Sequence, residues 1–404
     1  MAGLDTLPAM RLSKQEVPVS NPEAAKPAAA KGLAGIVIGD TSVSYVDGAE
    51  GILEYRGFDI RLLAENSTFE EVAYLLWNGR LPMAPELQAM KAQARACRFL
   101  PQEVITALRI MPKNADPMAV MRTAVSMLAH YDPESEENSP VAHQHKACRL
   151  LGQISDVVAA YERMRRGEEP IKPRMDLDHA ANFLWMLTGE DPEPMAAKAL
   201  DQYLLLLAEH ELNASTFTAR VIASTGSELH SAITGALGAL KGPAHGAAVQ
   251  EAMVQFLEIG SPDNVENWFE KGRAEGRRVM GIGHRVYKVR DPRAGALMKN
   301  VEMMVDATGE RQWFDIASRL EAVATQDAYF KDRNLSANVD FYSAPLLYSM
   351  GIPVDAFTCK FAMSRIVGWT AHVYEQQSDN RLIRPLGNYT GQHQLPWTPM
   401  EQRK

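Results

Sequence analysis

The sequence predicts a mainly α-helical protein with one short N-terminal β-hairpin. Three observations carry this. Only one stretch alternates in the manner of a strand, the run from Ser42 to Tyr55, and it has Asp47-Gly48 at its middle as a turn signal. Downstream of it, apolar residues recur at helical spacing. The chain has 404 residues, 46% of them hydrophobic, with 6 Trp and 20 Met, enough for a large core in one domain or in two that share it.

Taken in order, residues 1–31 are rich in Ala, Pro, Lys and Ser without a hydrophobic period, which predicts a flexible tail, with order beginning near Gly32. After the hairpin, Thr68 followed by Glu71 is a capping-box-like helix start leading into Val72, Leu75 and Leu76. Residues 132–140 form an acidic run expected to be a solvated connector between helices. Leu200, Tyr203, Leu204 and Leu207 mark one face of a helix over 192–209. Leu229, Ile233, Leu237 and Leu240 mark another, in which Gly235, Ala236, Gly238 and Ala239 would let a neighbouring helix approach closely. Val249, Met253, Phe256 and Leu257 predict a helix over 246–258 that stops at Gly260, and a last long helix is expected over about 355–376.

A net charge of −8 argues against a general nucleic-acid binder, while leaving room for local basic clusters around an anionic ligand. The 3 cysteines, Cys97, Cys148 and Cys359, have no metal or redox spacing and read as small buried hydrophobes in a reducing compartment. The longest apolar run, Tyr203 to Ala208, is far shorter than the roughly 18 residues that span a bilayer. No apolar signal core opens the chain, and Asp5, Glu16 and Glu23 argue against a transit peptide, so a cytoplasmic, membrane-free protein is expected.

Three short segments each set an acid–base group beside a backbone punctuator: Gly-Pro-Ala-His245-Gly, Gly-Ile-Gly-His284-Arg-Val-Tyr-Lys and Asn-Val-Asp340-Phe-Tyr-Ser. His245 follows Gly242-Pro243 and is expected to open a helix, where the dipole disfavours its charged form and a neutral ring can donate to a carbonyl gaining negative charge. It could equally cap its own helix. His284 lies in a glycine-flanked basic loop, with Arg278, Arg285 and Lys288 suited to phosphates, although the spacing matches no nucleotide fingerprint. Asp340 sits among apolar neighbours that would raise its pKa, as a carbon base requires, or else it caps the following helix. Arg365 falls in an apolar helix and needs an anion, either Asp355, Glu375 or a ligand carboxylate. Arg293 and Arg384 carry the same ambiguity, and three arginines would suit a dicarboxylate. His143 and His145 read as surface histidines rather than metal ligands. His130, His179, His230, His372 and His393 are given no role.

These segments, with Glu54-Tyr-Arg-Gly-Phe-Asp-Ile, Phe69-Glu-Glu-Val-Ala-Tyr-Leu-Leu and Glu209-His-Glu-Leu-Asn-Ala-Ser-Thr, resemble the citrate synthase family over about residues 32–392. The resemblance implies an all-α homodimer with a large domain (32–246 and 352–404), a small domain (247–351) and a cleft between them. It implies an acyltransferase of the tricarboxylic acid cycle that condenses acetyl-CoA with oxaloacetate. Asp340 matches the base that deprotonates the thioester methyl group, His245 the group that stabilises the enol oxygen, and His284 the group that protonates the keto oxygen. His210 matches a keto-group ligand; Asn213 and Ser215 match supporting residues, with Ser215 orienting His245. Arg293 and Arg365 match carboxylate clamps, and Arg384 a third that reaches in from the partner subunit. Arg278, Val279, Met280, Gly281, Ile282 and Gly283, with Lys288, match the coenzyme A segment. No metal and no permanently bound cofactor is implied. Ala247 and Ala248 depart from the bulkier or glycine-rich run of many relatives.

Two other readings compete. A 2-methylcitrate synthase uses propionyl-CoA with the same catalytic set, and an enzyme of dual specificity uses both thioesters; Gly-His-Arg-Val-Tyr-Lys favours the citrate enzymes. A catalytically silent helical assembly protein is opposed by the intact His245, His284 and Asp340.

Overall fold

A computed structural model describes residues 30–33 and 35–403. The tail expected over 1–31 therefore lies almost wholly outside the described residues. Among the described residues before the first strand, the regular structure is a 3-10 turn at Lys31–Leu33. Contacts divide the described residues into a unit of 41–383 and a smaller one that includes 384–403.

The larger unit opens with the predicted hairpin, β1 (Ser44–Asp47) paired with β2 (Ile52–Tyr55), and adds a short β3 (Phe58–Asp59). The Asp47 carboxylate accepts the Ala49 and Glu50 amides at 2.8 and 3.0 Å, which closes the turn. Seventeen α-helices follow among the described residues. They are α1 (Ile60–Asn66), α2 (Phe69–Asn78), α3 (Ala84–Ala96), α4 (Gln102–Ile110), α5 (Pro117–Leu128) and α6 (Pro140–Arg165). Next come α7 (His179–Thr188), α8 (Pro194–Leu207), α9 (Ala214–Ser224), α10 (Leu229–Leu240), α11 (Ala248–Ile259) and α12 (Val265–Ala274). The last are α13 (Ala294–Thr308), α14 (Gln312–Gln326), α15 (Ala328–Lys331), α16 (Val339–Ser349) and α17 (Phe357–Ser378). No helix among the described residues is long and apolar enough to cross a membrane.

The helix ends follow local chemistry. Thr68 Oγ1 accepts the Glu71 amide at 3.3 Å and starts α2, while Gly260 in the left-handed region stops α11 as expected. Gly235 of α10 faces α9, where a Cβ would overlap Ile222, whereas Gly238 faces Arg122 of α5. α17 runs through the middle of the larger unit, packing on α2, α6, α8, α9 and α10, and is buried along most of its length.

Two expectations need correction. The acidic run 132–140 is docked rather than simply solvated. Lys146 Nζ donates to the Ser135 carbonyl at 3.0 Å and also to that of Glu137, and Arg149 holds Asp132 and Glu134, each at 2.7 Å. His143 is buried, its Nε2 2.9 Å from the Thr370 carbonyl, because α6 packs on α17; only His145, paired with Glu134, is half-exposed. Cys148 and Cys359 are buried and Cys97 half-buried, all as free thiols.

Candidate active site

The three acid–base segments are far apart in sequence, and the fold ties two of them together through the backbone. Gly283 N–H donates to the Ser336 carbonyl at 2.8 Å, Asn338 N–H to that of Gly281 at 2.9 Å, and Asn338 Nδ2 to that of Gly283 at 2.8 Å. Gly281 has φ 80°, and a Cβ there would lie 2.9 Å from the Phe341 Cα, so a side chain would be both strained and obstructed. Gln255 of α11 pins the same loop, accepting the Met280 amide at 2.9 Å and donating to the Met280 carbonyl at 2.7 Å. The glycine loop is thus strapped to the start of α16, where Asp340 lies. Asn338, not Asp340, caps that helix, its Oδ1 accepting the Asp340 amide at 2.9 Å.

Asp340 lies in the first turn of α16, and burial pushes its carboxyl up to about 7, against the pull of Arg293 and Arg365. The raised pKa expected from its apolar neighbours is therefore present. His284 is held differently. Its Nδ1 accepts two backbone amides, Val286 at 3.0 Å and Tyr287 at 3.1 Å. A neutral imidazole has one proton, so that proton is on Nε2. Burial, with Arg293 nearby, lowers the pKa of His284 to about 4, so the ring is neutral at pH 7 and Nε2–H is a donor.

His210 lies 5.5 Å from His284 between ring centroids, and its Nε2 is 3.1 Å from the Tyr287 hydroxyl. Burial first, then the two arginines, hold its pKa well below the ordinary value. The His210 loop is anchored to the sheet. Ser44 Oγ donates to Glu209 Oε1 at 3.0 Å and accepts the Glu211 amide at 3.0 Å, and the Tyr55 hydroxyl accepts the Glu209 amide at 3.1 Å. Glu209 is fully buried and pairs with His372 at 2.9 Å.

His245 does not open a helix: α11 begins at Ala248, and His245 lies in the preceding turn, its amide donating to the Gly242 carbonyl at 2.9 Å. Its pKa is lowered to about 4 by burial and then by Arg365, so the expected neutral ring is found but the helix dipole is not its cause. Its Nε2 is 2.8 Å from Ser215 Oγ, which in turn is 2.8 Å from Asn213 Oδ1. Asn213 caps α9 through the amides of Ser215 and Thr216.

The arginines divide. Arg293 is buried against Asp291, donating from Nε at 2.9 Å and Nη2 at 2.7 Å. Arg365 has neither expected carboxylate, because Asp355 pairs with Arg165 and Glu375 with Arg220. Its Nε donates to the Leu207 carbonyl at 2.8 Å, it stacks 4.8 Å over Phe361, and burial depresses its pKa to about 10. Among the described residues it forms no ion pair, which leaves a buried cation whose field reaches Asp340, His210 and His245. Arg278 and Lys288 are exposed and form no ion pair among the described residues, whereas Val279 and Gly281 are buried. Arg384 is exposed in the smaller unit.

Sequence reasoning missed four residues of this arrangement: Tyr287, Glu209, Asn338 and Trp369, whose indole Nε1 donates to Ser215 Oγ at 3.1 Å. The signal available for Trp369 was general, since a buried indole N–H needs a partner.

A neutral donor, a half-buried carboxyl raised to about 7 and buried cations together suit an enzyme that moves protons at carbon and oxygen on an anionic substrate. Residues 32–386 match the family description "Citrate synthase, C-terminal domain". The chain is 44% identical over 376 residues to citrate synthase 2 of Bacillus subtilis, covering 93% of this chain and 99% of that protein. It is 41% identical to a 2-methylcitrate synthase of Mycobacterium tuberculosis, covering 92% of this chain and 94% of that protein. The solved citrate synthase of Pyrobaculum aerophilum superposes with a TM-score of 0.88 at 40% identity, covering 96% of this chain and 100% of the other. A ternary complex of the Thermoplasma acidophilum citrate synthase with carboxymethyl coenzyme A and oxaloacetate superposes with a TM-score of 0.88 at 32% identity, covering 94% and 100%. The chain belongs to the citrate synthase family, acyltransferases that condense acetyl-CoA with oxaloacetate.

Proposed function

We propose that this chain condenses acetyl-CoA with oxaloacetate and water to citrate and coenzyme A, with si stereochemistry, through the residues described above. The observation that carries the assignment of roles is the pair of amides on His284 Nδ1, which leaves Nε2–H as the donor, together with the half-buried Asp340 and its raised pKa. Asp340 takes a proton from the thioester methyl group. His245 donates to the thioester oxygen as the enol forms, and neither group alone suffices, because a thioester α-carbon is a weak acid. The enol carbon attacks the keto carbon of oxaloacetate while His284 Nε2–H protonates the keto oxygen, which His210 also holds. Water then cleaves the thioester and releases coenzyme A.

Arg365 offers an unpaired buried guanidinium to one substrate carboxylate. Arg293 serves as the second clamp through the guanidinium edge that Asp291 does not occupy. Arg384, donated by the partner of a homodimer, completes the set. Arg278 to Gly283 and Lys288 hold coenzyme A, with the exposed Arg278 and Lys288 available to its phosphates. Orientation by such clamps contributes up to about 7–11 kcal/mol in well-aligned reactions. A small domain of 247–351 closing on the rest excludes water until the condensed thioester is ready for hydrolysis.

The test is coenzyme A release with oxaloacetate, comparing acetyl-CoA and propionyl-CoA at equal concentration. Faster turnover of acetyl-CoA is expected. One methylene changes binding by about 1–3 kcal/mol, so some propionyl-CoA turnover is compatible with the proposal. A preference for propionyl-CoA above about tenfold would make it a 2-methylcitrate synthase.

A further inference from the structure

Met280 lies in the glycine loop, outside any helix or strand, and both of its backbone groups meet one side chain. Gln255 Oε1 accepts the Met280 amide at 2.9 Å, and Gln255 Nε2 donates to the Met280 carbonyl at 2.7 Å. Gln255 is buried, and the orientation of its amide is fixed, because turning it over would set oxygen against the carbonyl and NH2 against the N–H. Among the described residues no other hydrogen bond reaches those two groups. The side chain does for Met280 what a neighbouring strand would do, pairing the donor and the acceptor of a single residue.

The rest of the loop is held by a different element. The segment 336–338 takes up Gly281, Ile282 and Gly283 through the Asn338–Gly281, Ile282–Ala337 and Gly283–Ser336 pairings, which leaves Met280 to α11. That helix is itself well anchored. It leads out of the His245 turn at Ala248, and Gln255 lies about two turns along it. The next residue, Phe256, meets the Phe341 ring edge-on at 5.2 Å, and Phe341 follows Asp340 on α16. Gln255 therefore projects from an element fixed against both the enol-stabilising turn and the helix of the base.

We infer that Gln255 is a positioning residue for the coenzyme A thioester, acting through the Met280 backbone to keep the 278–283 loop in its binding form. The inference rests on the reading that this loop holds coenzyme A.

Gln255→Met keeps the length of the side chain and removes both hydrogen bonds. The free loop then leaves its binding form for part of the time, and apparent affinity falls by the fraction that stays competent. The Kd for coenzyme A, from isothermal titration calorimetry of the oxaloacetate-bound enzyme, should rise about tenfold, the scale of one to two lost hydrogen bonds, and the KM for acetyl-CoA should rise with it. kcat and the KM for oxaloacetate should each stay within about twofold of wild type, because the bound thioester restores the loop. Gln255→Glu is nearly isosteric but sets a carboxylate oxygen against the Met280 carbonyl, so it should raise the Kd at least as far. A folded Gln255→Met enzyme with the wild-type Kd would overturn the inference, as would an equal rise in the KM for oxaloacetate, the mark of general loosening. Should neither variant fold, hydrogen exchange in the wild type decides: the Met280 amide must be protected in the free enzyme, and fast exchange there would overturn the inference. Arg278→Ala and Lys288→Ala separate the inference from the reading beneath it. An unchanged Kd for coenzyme A in both would mean that the loop does not hold coenzyme A, and reading and inference would fall together; a raised Kd in them beside an indifferent Gln255 would remove only the inference.

Discussion

Asp340 shows at the level of one residue how burial sets chemistry. A carboxylate with an ordinary pKa near 3.9 would be ionised but weakly basic at neutral pH. Burial pushes Asp340 up to about 7, which brings its basicity nearer to its task. The base must be ionised to act, so kcat/KM for acetyl-CoA should rise with pH and level off above about 7 in a pH–rate profile. A profile flat between pH 5.5 and 8 would separate Asp340 from that step. Asp340→Asn should lower kcat by at least about a hundredfold, the low end for loss of a general base, while circular dichroism stays unchanged. The sequence made the identity of these acid–base residues legible because each stands beside a glycine, a proline or a helix start. Their settings were less legible. The neutral His245 was anticipated for the wrong cause, and the Nε2–H state of His284 depends on two amides that no spacing announces.

At the scale of elements, the hairpin holds the two histidine loops. Through Ser44 and Tyr55 it grips the His210 loop, and through Gly48 it grips the His284 loop. The Gly48 carbonyl accepts the Lys288 amide at 2.7 Å, and a Cβ on Gly48 would overlap the Val286 carbonyl oxygen. Gly48 is required by close approach, not by a left-handed backbone. Gly48→Ala should therefore displace the loop that carries His284, lowering kcat about tenfold or more, the sensitivity expected when a catalytic donor shifts by a fraction of an ångström. Steady-state kinetics with a thermal melt would check this; normal kcat at normal Tm would show that the loop is positioned from elsewhere. The hairpin itself was plain from alternation and Asp47-Gly48, as were α8, α10, α11 and α17 from their apolar period. The two-residue β3 and the docking of 132–140 were not, since each depends on partners distant in sequence: Asp132, Glu134 and Ser135 are held by α6 side chains.

For the molecule as a whole, the buried ionisable groups set the pH range of stability. Six histidines, His143, His179, His210, His230, His245 and His284, have pKa values pushed down chiefly by burial, four of them to about 4 and His179 to about 3. Below about pH 6.5 the unfolded chain gains protons at these rings that the native chain does not, so stability falls as pH falls. Four carboxyls, Asp156, Asp201, Glu211 and Asp340, are raised by burial, Asp201 to about 8. Their stabilisation is complete below the unfolded carboxylate pKa and is lost as pH rises through the folded one. Between pH 4 and 6.5 the two sets oppose each other, and the histidines are the more numerous. Above 6.5 the histidines are silent, and the raised carboxyls, Asp156, Asp201 and Asp340 among them, set the slope. Stability should therefore peak near pH 6.5, falling steeply on the acid side and gently up to about pH 8. Urea midpoints at half-unit intervals would trace this dome. Asp201→Asn should flatten the alkaline limb and leave the acid limb steep, because the Asn oxygen can still accept the Phe69 amide that Asp201 now holds at 3.2 Å. Were the alkaline limb equally steep in Asp201→Asn and wild type, the decline would belong to other groups, with Asp340→Asn the next to compare.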